Sequence, residues 1–255
     1  MLVESFQKFL PILILLAVIA FVLSRLPKVN VGHSDAFKKR RTWNWLPLGL
    51  TYAFLYMGRY NLTVAKNAFG DLMPVSAFGT IFATGTIVYG FSFILNGPLT
   101  DRLGGRWAIL VSALGAALCN FAMGVVTYFG WHDNLVLTFS ILYALNMYFQ
   151  SFGAVAIVKV NSSWFHVRER GTFGGIFGIL ISLGLYFAYD WGGMIVKILP
   201  LQYVFFIPTL LLIGFFILSY LMVRDTPSEA GFQDFETGEA QLTDPGKPMK
   251  ALQVA

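Results

Sequence analysis

The chain has 255 residues, 56% hydrophobic and only 12% charged, with a positive mean hydropathy. A water-soluble domain carries about 25% charged residues, so water is excluded as the solvent for most of this chain. The formal charge of +5 does not point to nucleic acid, because the lysines and arginines fall between apolar runs and not on one polar face.

Seven apolar segments follow in order, roughly 6–25, 44–66, 77–99, 106–130, 134–158, 171–197 and 201–223. Each is long enough to cross a bilayer as a helix. The first is read as a retained helix and not a cleaved leader: Glu4 precedes Lys8, and Ser24-Arg25-Leu26-Pro27 offers no small-x-small cleavage site. Residues 1–43 are therefore expected to be an extra N-terminal transmembrane helix with a basic connector, and residues 44–223 a bundle of six spans. Residues 224–255 turn polar, with Gly and Pro, and are expected to be a flexible, disordered cytoplasmic linker or tail.

Charge alternates between the connections. Arg25, Lys28 and Lys38-Lys39-Arg40-Arg41 follow the first segment, Arg102 and Arg106 the third, Lys159, Arg168 and Arg170 the fifth, and Arg224 the seventh. The positive-inside rule makes that set cytoplasmic, with the N-terminus outside and the C-terminus in the cytoplasm. Trp43 and Trp45 open the second segment, and Trp131 and Trp191 stand near the opposite interface, as anchoring aromatics do.

Arg59 lies well inside the second segment, where a guanidinium costs about 2.5–3.5 kcal/mol on insertion scales. It should face protein, water or an anion. Tyr52, Tyr56 and Arg59 stand at i, i+4 and i+7, which aligns two phenols and a guanidinium on one helical face. Such a stripe suits an oxyanion, since the planar fork gives two parallel charge-assisted hydrogen bonds. Pairing with a buried carboxylate, or snorkelling to an interface, is the alternative. Asn96, Asn146 and Gln150 are further polar candidates within spans, with hydrogen bonding between helices as their alternative role. Cys119 is read as packing, and His33, His132 and His166 as solvated loop residues. No metal site, no cofactor and no nucleophile-base pair emerges, so an enzyme is not expected.

Gly97-Pro98-Leu99-Thr100-Asp101-Arg102-Leu103-Gly104-Gly105-Arg106 occupies the connection between the third and fourth segments. The glycines allow a tight turn, Asp101 can accept from arginines or cap a helix start, and Arg102 and Arg106 hold the basic side. This stretch resembles the G-x-L-x-D-R-x-G-x-R loop of the major facilitator superfamily. Four stretches then narrow the resemblance to the organophosphate:phosphate antiporters: Leu55 to Asn61, Tyr89 to Arg102, Phe149 to Gly171, and Arg224-Asp225-Thr226-Pro227 with Gly231. The resemblance implies a six-helix amino-terminal half, built as a 3+3 inverted repeat, in a multi-pass protein of the bacterial inner membrane. Arg59 would bind phosphate, with Tyr52, Tyr56, Tyr89, Asn146 and Gln150 lining the substrate cavity. Gly97, Asp101, Arg102, Gly104 and Arg106 would form a conformational-switch loop.

The implied activity is transport of an organic phosphate or related organic anion, in exchange for inorganic phosphate, by alternating access. The expected partners are the small anionic substrate, the lipid bilayer, and a separately encoded C-terminal half or a second copy; no nucleic acid is expected. A truncated, non-transporting fragment and a membrane sensor or scaffold are the alternatives. Tyr60, Phe93 and Ile181 replace a lysine, a lysine and a histidine of the glycerol-3-phosphate branch, which leaves a different organic anion open.

Overall fold

The computed structural model describes residues 32–131 and 133–238, together with residues 17 and 21. The segment at 6–25 and His132 thus lie almost wholly outside the described residues, as do residues 239–255. Among the described residues the fold is helical without strands: α1 Asp35–Ala65, α2 Val75–Leu103, α3 Gly105–Phe129, α4 Leu135–Trp164, α5 Arg170–Tyr186, α6 Gly192–Ile198 and α7 Tyr203–Met222. A π turn, Phe187–Trp191, joins α5 to α6 in one long rod, and short 3-10 turns stand at Gly70–Leu72, Val167–Glu169 and Ser228–Ala230.

Local chemistry sets the ends. Ser34 accepts from Phe37 N at 3.2 Å to cap α1, and Asp35 follows in its first turn. Gly104 has φ +85°, a conformation open to glycine, and it alone separates α2 from α3. The expected turn over 97–106 is accordingly much shorter. Gly97 to Leu103 continue α2, and Arg106 lies in α3. Gly130, in the left-handed region, ends α3, with Trp131 N closing back on Val126 O at 3.1 Å.

Five rods are long and apolar enough to cross a membrane: α2, α3, α4, the rod ending at α6, and α7. α1 is the longest helix but fails on composition, and its position explains why. It packs on α3, α4, α5 and α7, and several of its polar side chains are answered from those helices and from the segment after α7. Asn44 pairs with the Arg224 backbone, Thr51 Oγ1 with Ser219 Oγ at 2.8 Å, Arg59 with Gln150, and Asn61 with Asn120. A helix shielded from lipid can be polar where its partners satisfy it. α2 and α5, by contrast, turn much of their surface outward. Where Gly184 of α5 crosses α1, an added Cβ would stand 2.8 Å from Ala53 O, so that approach needs glycine.

The end that carries Arg40, Arg41, Arg106 and Arg224 is tied by charge. Arg41 and Glu169, both almost buried, form a two-pronged ion pair at 2.9 and 3.0 Å, and Arg41 also donates to Trp164 O at 3.3 Å. The segment expected to be a flexible tail departs from that reading over residues 224–238. Phe232 and Phe235 meet Phe37 edge-on, Phe235 also meets His33, and Val167 N donates to Thr237 O at 2.9 Å. His33 is correspondingly half-buried between Phe37 and Phe235, not a solvated loop residue.

Candidate functional site

Arg59 sits in α1 at 7% exposure. Its Nε donates to Gln150 Oε1 at 2.9 Å, and its guanidinium carbon lies 4.8 Å from the Tyr56 ring centre and 4.5 Å from that of Tyr89. The cation thus rests against the rings of α1 and α2, each contact being worth up to about 2 kcal/mol when desolvated. Nη2 is buried and makes no hydrogen bond. No carboxylate among the described residues pairs with Arg59. The charge is therefore held by neutral groups and keeps an unused donor.

Behind Gln150 runs a chain of amides that converges on Asn146. Asn61 Oδ1 accepts from Leu62 N at 2.8 Å, which turns its NH2 toward Asn120 Oδ1 and Val204 O. Asn120 Nδ2 then donates to Ala116 O at 2.9 Å, Gly58 O at 3.2 Å and Asn146 Oδ1 at 3.2 Å. Asn146 Nδ2 donates to Gly58 O at 3.0 Å, and Gln150 Nε2 donates to Asn146 Oδ1 at 3.1 Å. Asn146 Oδ1 thus accepts from Asn120 on one side and from Gln150 on the other, so Gln150, its NH2 turned to Asn146, must offer oxygen to Arg59. Tyr143 adds a bond from its hydroxyl to Arg59 O at 3.1 Å.

Arg59, Tyr56, Tyr89, Gln150 and Asn146 are thereby brought together, and Tyr52 joins them through its edge-on contact with Tyr56 at 5.3 Å. Tyr52 also borders a largely apolar cavity of about 430 Å³ between α4 and α5, lined further by Ile157, Asn161, Phe165, Phe177 and Ile181. Asn96 stays apart: its amide donates to Ser151 Oγ at 2.7 Å and Tyr148 O at 3.4 Å, which is the interhelical role. Asn61, Asn120 and Tyr143 were not among the sequence candidates. Tyr143 could have been, since it shares the helical spacing of Asn146 and Gln150.

At the Gly97–Arg106 stretch the roles are redistributed. Asp101, exposed, pairs with Lys159 at 2.7 Å and does not cap a helix. Asp225 does: its Oδ1 accepts from Arg106 N at 2.7 Å, and an added Cβ on Gly104 would stand 2.5 Å from its Oδ2. Burial pushes the Asp225 carboxyl up, against the backbone hydrogen bonds of Arg106 and Gly105 that hold it down. Arg102 is exposed at the end of α2, and Gly97 is half-buried within it.

The chain is 26% identical over 213 residues to a glycerol-3-phosphate transporter of Bacillus subtilis, covering 79% of this chain and 45% of the relative. It is 24% identical over 204 residues to a probable hexose phosphate transport protein of Chlamydia pneumoniae, covering 78% and 43%. It is also 24% identical over 141 residues to the membrane sensor protein UhpC of Escherichia coli, covering 54% and 30%. The chain therefore spans less than half the length of these relatives. Residues 48–253 match the Major Facilitator Superfamily, and with most of its length so matched the chain belongs to that superfamily of multi-pass membrane transporters.

Proposed function

We propose that this bundle binds the phosphate group of an organic phosphate, or of a related organic anion, at Arg59, and that it carries the anion across the membrane in exchange for inorganic phosphate. The single observation that carries the reading is the buried guanidinium with a neutral partner and an unbonded Nη2. A buried cation without a carboxylate is costly unless an anion completes it. The names of phosphate-ester carriers among its relatives support the same chemistry. Tyr52, Tyr56 and Tyr89 would shape the site, and the stretch from Gly97 to Arg106 would release and re-form between states. The basic end would face the cytoplasm. Alternating access in this superfamily requires two bundles rocking about a midplane site, so the cycle proposed is that of this bundle with a second one, on the same chain, on a separate chain or as a second copy.

The test is exchange of radiolabelled phosphate in liposomes that hold this bundle with its complementing bundle. Arg59→Ala should abolish exchange, and Arg59→Lys should lower it at least tenfold, because a point charge cannot reproduce the fork. Exchange at wild-type rate in Arg59→Ala would remove the reading. A second reading, ligand sensing without flux, is favoured by the relative named as a membrane sensor protein. Phosphate binding that depends on Arg59, combined with zero flux from the two-bundle assembly, would select it.

A further inference from the structure

The last turn of α7 gathers more positive charge than its carbonyls offset. Arg106 Nη2 donates to Tyr220 O at 2.8 Å, and Arg224 Nη1 reaches the same oxygen at 3.4 Å while donating to Val223 O at 2.8 Å. Arg40 Nη2 donates to Met222 O at 2.8 Å. Three guanidiniums thus share one helix C-terminus, which offers the equivalent of roughly half a negative charge. Arg40 Nη1 and Arg106 Nε are buried without a hydrogen-bond partner. No carboxylate among the described residues forms an ion pair with any of the three. Asp225 and Glu229, the acids beside them, are engaged elsewhere: Asp225 Oδ1 accepts from Arg106 N at the start of α3, and Glu229 Oε2 accepts from Asp225 N at 3.1 Å. Burial, and after it the Arg224 charge, lower the Arg40 pKa, as expected of cations crowded together.

Directly along the same two helices runs an exposed apolar stripe. Leu114, Leu118 and Phe121 on α3 and Leu210, Ile217 and Leu221 on α7 recur at helical spacing and point outward. Trp107 and Tyr220, both exposed, stand between stripe and charge, with the Arg106 guanidinium 5.8 and 5.2 Å from their ring centres. Charge, amphipathic rings and apolar surface follow one another in the order of a phospholipid's headgroup, glycerol level and chains.

We infer that the α3/α7 edge is a binding site for an anionic phospholipid, its phosphate held by Arg40, Arg106 and Arg224 and its acyl chains laid along the stripe. The site is separate from Arg59, whose partners belong to α1, α2 and α4. Charge complementarity selects the headgroup: a zwitterionic lipid brings a cation that the three arginines repel. A phosphate held by these three side chains gains charge-assisted hydrogen bonds that a neutral replacement loses.

The experiment is native mass spectrometry of the full chain extracted from vesicles of phosphatidylcholine and phosphatidylglycerol in equal parts. Wild type should retain phosphatidylglycerol in preference to phosphatidylcholine. Arg224→Gln should cut that preference about tenfold, as loss of one charged hydrogen bond implies. Its fold should persist, because Asn44 and Trp164 bind the Arg224 backbone and not its side chain. Arg40→Gln should do the same from the other side of the cluster. Equal retention of both lipids by wild type, or an undiminished preference in both variants, overturns the inference. So does full displacement of the lipid by excess inorganic phosphate, which would make a free anion the ligand.

Discussion

A guanidinium held at 2.9 Å by a neutral amide keeps its charge available to a ligand, whereas the same atoms beside a carboxylate do not. Gln150→Glu turns that difference into a measurement, since it changes one group and almost no volume. The new carboxylate would sit where Gln150 Oε1 now accepts from Arg59 Nε, closing a buried ion pair. Phosphate affinity should fall at least tenfold, read by calorimetric titration in detergent, although the variant forfeits the donation from Gln150 Nε2 to Asn146 Oδ1. Gln150→Leu should act differently: it strands a buried N–H, costs about 1–3 kcal/mol of stability, and weakens phosphate binding only in part. At this scale the sequence is informative where helical spacing gathers unlike groups, as it does for Tyr52, Tyr56 and Arg59. Asn120 was silent, because its side-chain partners, Asn61 and Asn146, come from other helices and its own helix gives it no polar neighbour at i+3 or i+4.

Helices are where sequence and structure agree best and where the remaining differences have physical causes. Apolar length places five of the rods, because a bilayer imposes it. Boundaries shift where capping chemistry takes over from hydropathy: α1 begins at Asp35 because Ser34 caps it, well before the apolar run. The fold-back of 224–238 was invisible because its anchors are pairwise. Asn44 exchanges two hydrogen bonds with Arg224, at 3.1 and 2.7 Å, and Asp225 caps a helix more than a hundred residues away in sequence. Asp225→Ala should remove that cap at about 1 kcal/mol and speed hydrogen exchange across 224–238, whereas Asp225→Asn keeps an acceptor and should preserve protection. The pH dependence follows from the raised folded-state pKa. Between that value and the ordinary 3.8 the folded protein binds more protons than the unfolded one, so docking gains stability as pH falls through this window. Asp225→Asn should lose that gain, in exchange rates corrected for intrinsic pH effects.

The bundle as a whole is asymmetric in a way that bears on its use. α1 is the most polar of the rods and the one closed in by α3, α4, α5 and α7, while α2 and α5 flank it with outward surfaces. Arg59 meets Tyr89 of α2, and Tyr52 borders the cavity against α5, so the proposed anion site lies on the flank of α1 that α2 and α5 approach. Hydropathy cannot distinguish a face that meets lipid from one that meets a second bundle, since both are apolar; the half-bundle reading came from motif resemblance instead. If that flank receives a second bundle, binding and transport must separate. This bundle alone, in nanodiscs, should bind phosphate through Arg59 and protect it, yet show no exchange in liposomes. Adding the complementing bundle should restore exchange and at the same time shield cysteines introduced one at a time at Thr86 and Phe93 on α2, both exposed and on the Tyr89 face, from a membrane-permeant thiol reagent. Cys119, buried, is the background thiol to replace first. Should the bundle exchange phosphate alone, the shielding pattern still decides: protection that grows with protein density in the membrane identifies a second copy as the partner, and unchanged labelling of α2 rules out a partner on that face.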